Sequence, residues 1–420
     1  MKTSFYKKVL LVASIILLLM TTGVLLLLFE SDINLVDLLF NKENKEVVQE
    51  TEVIEENEKI LTIEDYENEY RKYLEPDKNF VHVDTREKKD VFYFAGDVFF
   101  SNNVRKAYDS DGIDGVLEST YTKMFESSDL CMANLECSIT DNDENPADKT
   151  YTFNLPTKYV DGLKQTRIDL FTLANNHILD YGMDELNHTI KVLDENNIYH
   201  IGAADNLYDA KKVFIKEIDG KRYAFFAASA VLPKDSWKAN FEHGGICNGY
   251  DVKSVIDEIK FIRPYFDKII VYMHWGKELE NESNELQRRH ARHIVDAGAD
   301  LIIGTHSHTI QEIEYYKNVP IVYSLGNFIY GGQMRDMIVA EATFDYSKDK
   351  NGEVRLRIYP GVSNFQKTKR YYDEATVLTK LTDLQLKSRN CHIAENGFVY
   401  TVEEVEAALS NMKDLVESNK

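Results

Sequence analysis

The stretch LANNHILDYG, residues 173–182, places Asn175, Asn176 and His177 directly after an apolar run, with Asp180 three residues beyond the histidine. Asn and Asp are depleted in strands, so polar groups at the end of an apparent buried strand need another reason. The arrangement recurs. VFYFAG runs into Asp97, DLCMANLE carries Asn134 and Glu136, KIIVYM runs into His274, and ADLIIGT runs into His306 and His308. In open α/β sheets, ligands bind outside the carboxyl ends of the strands. Metal-ligating residue types at that end of five separate strands predict one convergent site.

Carboxylate, amide oxygen and imidazole together suit a borderline divalent cation, Mn²⁺, Fe or Zn²⁺, better than Ca²⁺ or Mg²⁺. Asp97, Glu136, Asn176, His274, His306 and His308 supply donors for one ion, or for two about 3.5–4 Å apart with a carboxylate bridging them. Such a pair activates a water and clamps an ester or amide centre. His306 and His308 flank one residue, and in an extended segment both rings would face the same side. His177 is cast as general acid, or as donor to a developing oxyanion, with Asp180 orienting its ring. Two plainer readings stand beside these. NNH can be a simple turn, and Asp180 can help begin the helix from Met183. Asn327, in YSLGNF, lies on the same sheet edge. His290 and His293 have helical spacing but stand among Arg288, Arg289 and Arg292, which reads as a solvated face. His82, His188, His200, His243 and His392 are read in the same way.

The elements that must position these groups follow from periodicity. Short apolar runs alternate with amphipathic helical stretches such as residues 183–197 and 284–299, the pattern of an α/β sheet. Past Thr343 the pattern loosens, with a late strand at 353–363 and a C-terminal helix at 401–418. Residues 41–70 are rich in Glu and read as a solvated stalk, helical in its second half. Residues 9–29 form an uncharged apolar run, long enough to span a bilayer of about 30 Å. Lys2, Lys7 and Lys8 precede it and Glu30 and Asp32 follow, so an uncleaved signal anchor is expected, with the N-terminus cytoplasmic and the main domain extracellular. The expected division is 1–8 cytoplasmic, 9–29 transmembrane, 30–87 acidic stalk or linker, 88–345 main domain, and 346–420 an extension packing on that domain.

Composition sets the outer limits. A net charge of −21 over 420 residues argues against nucleic-acid binding, and 44% hydrophobic residues permit a sizeable core. Four cysteines, Cys131, Cys137, Cys247 and Cys391, are too few for a disulfide framework and are read as buried free thiols.

Taken in order from about Asp90 to Gly332, the motifs FAGDVFFS, ANLECS, LANNHILDYG, HIGAA, MHWGKE, GADLIIGTHSHTIQ and VYSLGNF resemble the CapA-type family of poly-γ-glutamate capsule-synthesis proteins. That family looks like a branch of the calcineurin-like metallophosphoesterases. The resemblance implies a sandwich of two β-sheets flanked by helices, preceded by one transmembrane helix. Asp97 matches the first-motif aspartate, Glu136 the bridging carboxylate, Asn176 and His177 the Asn-His pair, His274 the solitary histidine, and His306 and His308 the final His-x-His. The first motif usually continues to a histidine, and Phe99 stands there instead, so one ion or two remain open. The implied function is a membrane-anchored, extracytoplasmic metallohydrolase-like protein supporting polyglutamate capsule synthesis or export. Its partners would be the membrane, other subunits of a capsule synthase and an anionic polymer, with Lys277 as a candidate polymer contact. The alternatives are a non-catalytic scaffold or polymer-handling subunit, and a phosphodiesterase of envelope polymers or lipid-linked intermediates.

Overall fold

Strand Lys268–His274, KIIVYMH, is buried along its whole length, and its alternation explains how the layers stack. Ile270 and Tyr272 enter one apolar cluster, shared with a second sheet, while Ile269, Val271 and Met273 enter another, shared with helices. The computed structural model describes residues 63–76, 89–347 and 351–418, and it is a mixed α/β fold of two main sheets flanked by helices. The six-stranded sheet runs Ile313–Tyr316, Val319–Val322, Leu301–Thr305, Lys268–His274, Lys221–Ser229, Phe214–Ile218. The ten-stranded sheet has Lys89–Val98 near its centre, between Arg335–Asp345 on one side and Leu130–Leu135, Leu170–Thr172 and Tyr199–Ile201 on the other. Those last three strands run parallel to the first, and Leu130–Leu135 and Leu170–Thr172 are buried along their whole lengths, which explains their apolar runs.

The sheets meet through large side chains. Phe92 packs edge-on against Tyr223 and Phe225, with ring centroids 4.8 and 5.4 Å apart. The Tyr272 hydroxyl donates to the Ala95 carbonyl at 2.7 Å. Each such buried aromatic or aliphatic side chain contributes about 1.5–3 kcal/mol. Behind the six-stranded sheet, Val255, Ile259 and Ile262 of helix Val252–Ile262 and Ala291, Ile294 and Val295 of helix Glu285–Ala297 close the second cluster. The second helix begins with a capping box between Asn284 and Gln287.

Three expectations change. The acidic stretch does not stand clear of the domain throughout: Ile63–Leu74 is a helix, Leu74 is fully buried, and the Tyr73 hydroxyl donates to the Val213 carbonyl at 2.9 Å. The boundary drawn at residue 345 falls inside a sheet, because Arg335–Asp345 and Glu353–Ser363 pair along their full lengths. His290 is buried at 5% exposure, since its face of the helix turns to the core. The four cysteines are all buried thiols, as expected. Residues 9–29 and His82 lie outside the described residues, and among the described residues no helix is long and apolar enough to cross a membrane.

One contact controls where the first strand delivers its aspartate. Gly96 lies so close to the backbone of Gly326 that an added Cβ would sit 1.7 Å from that carbonyl oxygen. The Asp97 amide donates to the same oxygen at 3.2 Å. A methyl group there must push two backbones apart, so Gly96→Ala should destabilise the protein by about 3 kcal/mol or more. The midpoint of denaturant unfolding measures this, and a wild-type midpoint would mean that the two segments are free to separate.

Candidate metal centre

Strict alternation would set Asp97 on the face opposite Phe92 and Phe94. The pairing with Leu130–Leu135 contains a bulge: Phe94 opposes Met132, but Asp97 opposes Asn134. The extra residue restores Asp97 to the inward face. Its carboxylate then accepts from Asn134 Nδ2 at 2.8 Å and from the His306 amide at 3.4 Å. Asn134 Oδ1 accepts from Asn175 Nδ2 at 2.9 Å, and Asn175 Oδ1 accepts from the amides of His177 and Ile178. A row of amides thus joins the ends of three adjacent strands.

His274, at the end of its strand, places Nε2 2.7 Å from Asn176 Oδ1 and 3.6 Å from Glu136 Oε1. His306 and His308 do converge, but not by strand alternation. They lie beyond strand Leu301–Thr305 with φ of 94° and 57°, left-handed backbone that non-glycine residues adopt only in a minority of positions. The His308 Nδ1 is 2.8 Å from Asn327 Oδ1 and 3.5 Å from Asp97 Oδ2. Donor atoms of Glu136, His274 and His306 lie within 4.8 Å of one another, as do those of Asp97, Glu136 and His308. Glu136 belongs to both groups, the position a bridging carboxylate would occupy.

The donor set fits a cation. Among the described residues, neither oxygen of Glu136 has a hydrogen-bond partner, nor does His306 Nδ1, although all three atoms are buried. Burial, then the neighbouring Asp97, pushes the Glu136 carboxyl well above its ordinary range. Burial, then the adjacent imidazoles, holds His274 well below its usual value, and burial and His308 take His306 down to about 3. Burial acts to lower His308 as well, but Glu136 and Asp97 outweigh it and raise it to about 9. A buried carboxylate without a hydrogen-bond partner, beside the neutral imidazoles of His274 and His306, is costly in a dry interior, and a divalent ion would satisfy both at once.

Beside these donors, His177 and Asp180 form a second unit. The His177 Nδ1 is 2.7 Å from Asp180 Oδ2. Asp180 does not cap the following helix, whose N-cap is Gly182. Its carboxylate also accepts from the Phe153 amide at 2.8 Å and from Lys149 Nζ at 2.6 Å. Lys149 donates again to the Asn176 carbonyl at 2.5 Å, and Phe153 stacks on the His177 ring at 4.0 Å. Sequence reasoning missed Lys149 and Phe153, which come from an irregular loop with no periodicity to mark it. It missed Tyr330 too, whose ring is 4.9 Å from His308, although YSLGNF pointed to that edge. Phe99 stacks on Phe153 at 4.4 Å and adds only an apolar wall. Lys277 is exposed and paired with Glu280 at 2.9 Å, so its charge is already matched.

This combination defines an α/β sandwich with a buried carboxylate–imidazole cluster at the strand ends. Residues 91–331 match the model of the Bacterial capsule synthesis protein PGA_cap family, and the chain belongs to that family. It is 31% identical over 64% of its length to the PGA biosynthesis protein CapA of Bacillus subtilis, covering 70% of that protein. It is 30% identical over 65% of its length to the capsule biosynthesis protein CapA of Bacillus anthracis, covering 67% of it. A Mycobacterium tuberculosis protein named "Probable polyglutamine synthesis accessory protein" is 31% identical over 51% of this chain and 57% of its own.

Glu136→Gln separates a metal-holding carboxylate from a structural one. A carboxyl with a raised folded-state pKa binds protons the unfolded chain has released, so it costs stability as pH rises above the ordinary range of about 4.5. With chelator present, the variant should therefore melt at a higher temperature than the parent, and the gap should widen above that pH. With Mn²⁺ or Zn²⁺ added, the parent should gain stability and the variant should not. Equal destabilisation of the variant with and without metal would make Glu136 a structural group.

Proposed function

We propose that this chain is a membrane-anchored, extracytoplasmic metallohydrolase-like protein that supports synthesis or export of a poly-γ-glutamate capsule, with residues 9–29 as its membrane helix and other synthase subunits as partners. The observation that carries the metal reading is Glu136, a fully buried carboxylate with no hydrogen-bond donor among the described residues, beside the imidazoles of His274, His306 and His308. The polymer reading is supported by the names of the relatives. On this reading the sandwich is a calcineurin-like metallophosphoesterase fold. Asp97, Glu136, Asn176, His274, His306 and His308 would hold one or two divalent ions.

A bound ion would supply a Lewis acid for a phosphoryl or carbonyl oxygen. The chain's own residues account for the rest. Asp180 accepts from one ring nitrogen of His177 and leaves the other free to hold or donate a proton. Lys149 pairs with the same carboxylate and fixes its orientation, while Phe153 packs on the ring and keeps water from that side. Poly-γ-glutamate contains amides and no phosphate, and this chemistry serves either centre. Phe99 favours a second reading: an aromatic ring in place of a first-motif imidazole leaves fewer ligands for a second ion, which suits a polymer-handling subunit without turnover.

His306→Ala gives a clean test, because its Nδ1 has no hydrogen-bond partner among the described residues. The variant should accumulate to the parental level but make no capsule polymer, and the purified protein should lose most of the Mn, Fe or Zn that elemental analysis finds in the parent. Full capsule production by the variant would remove the metal centre from the function.

A further inference from the structure

A groove of 410 Å³ is lined in part by the loop that carries His308. Thr309 and Ile310 line it, and they follow His308 directly in the chain. Met334 and Arg335 line it as well, a few residues past Tyr330, whose ring packs on His308. Asn281 extends the wall from the loop after His274, and that loop is tied to the first by Thr309 Oγ1, which donates to the Glu280 carbonyl at 2.8 Å. The groove and the metal cluster therefore share one loop, with His308 on the cluster and the next two residues on the groove. Its outer wall is helix Glu374–Lys387, which lies beyond the residues matched to the family.

The groove gathers cations in a chain of net charge −21. Arg335, Lys380 and Lys387 line it, against Asp336 and Asp383. Asp336 is taken by Lys380 at 2.7 Å and by the Tyr371 hydroxyl at 2.7 Å. Lys387 spends two N–H bonds on backbone carbonyls, Ile310 at 2.6 Å and Asn281 at 3.2 Å, and one N–H is left over. Among the described residues the Arg335 guanidinium donates to the Gln333 side chain alone, at 3.3 Å. Among the described residues neither Arg335 nor Lys387 has an ion-pair partner, and both are half-buried. A half-buried guanidinium fork and an ammonium facing one groove match several carboxylates spaced along one chain.

We propose that this groove is a carboxylate subsite, in which Arg335 and Lys387 hold the free carboxylates of a γ-linked glutamate chain beside the metal centre. The proposal rests on the polyglutamate reading above. It bears on how so acidic a protein holds a polyanion: repulsion is screened beyond about 8 Å at physiological salt, and short-range contact falls to Arg335 and Lys387, which have no ion-pair partner among the described residues, although Asp383 shares the groove and Glu312 and Glu282 also act on Lys387. It also assigns a role to helix Glu374–Lys387, which would add a polymer wall to a domain whose metal residues come from elsewhere.

Calorimetric titration of the full-length, detergent-solubilised protein with a synthetic γ-linked glutamate oligomer tests this. Arg335→Gln and Lys387→Met should each weaken binding about tenfold, the loss of one charge-assisted bond, with metal content unchanged. Lys387 also ties two loops together, so Arg335→Gln, which breaks no backbone contact, decides the matter if Lys387→Met misfolds. Lys277→Gln should bind as the parent does. Parental affinity in Arg335→Gln would overturn the subsite and leave the polyglutamate reading standing. A parent that binds no oligomer in either metal state would overturn that reading along with the subsite. Inorganic phosphate that binds the parent in place of the oligomer, and is lost in Arg335→Gln, would make the groove a phosphate site and overturn the carboxylate assignment.

Discussion

A carboxylate cannot remain charged and unpaired in a dry interior without a strong cost. Glu136 is completely buried, accepts no hydrogen bond among the described residues, and has Asp97 as a near neighbour of like charge. The architecture around it is arranged so that a cation can offset that cost. Imidazoles on His274 and His306 are held neutral by burial, ready to donate lone pairs. Amides on Asn134, Asn175 and Asn327 fix the surrounding groups instead of competing for them.

Such precision depends on the two sheets keeping their spacing. Phe92, Tyr223, Phe225 and Tyr272 fill the layer between them, and interiors packed at crystal-like density shift little. The strand ends that deliver Asp97, Asn134 and His274 are therefore held by the same packing that stabilises the fold. The left-handed backbone at His306 and His308 is the exception. Its strain is held by the Asp97 and Asn327 contacts, so those loops are shaped by the site as much as the site by the loops.

Much of the site was legible because each donor follows an apolar run, and apolar runs mark strands. Asp97, Glu136, Asn176, His274, His306 and His308 were all expected in one place, and the structure brings them there. The role of Asp180 was not legible in the chain, since a carboxylate near a helix start serves equally well as a cap. Lys149 and Phe153 carried no signal, because an irregular loop has no period. Both turn out to clamp the His177–Asp180 pair. Arg335 and Lys387 lie far apart in sequence, and only the hairpin of Arg335–Asp345 with Glu353–Ser363 and the helix that follows bring them to one groove.

The sequence by itself determined the alternation of strand and helix, the family, and the identities of the clustered donors, because periodicity and residue chemistry are local properties. Tertiary structure decided which way those donors face. Alternation alone turns Asp97 away from the cluster, and one extra residue in its pairing with Leu130–Leu135 turns it back. A bulge depends on the partner strand and on the close approach of Gly96 to Gly326, neither of which a one-dimensional pattern contains. The same holds for Glu136: a glutamate after a strand is ordinary in sequence, and only its complete burial without a hydrogen-bond partner among the described residues makes it a place for a cation.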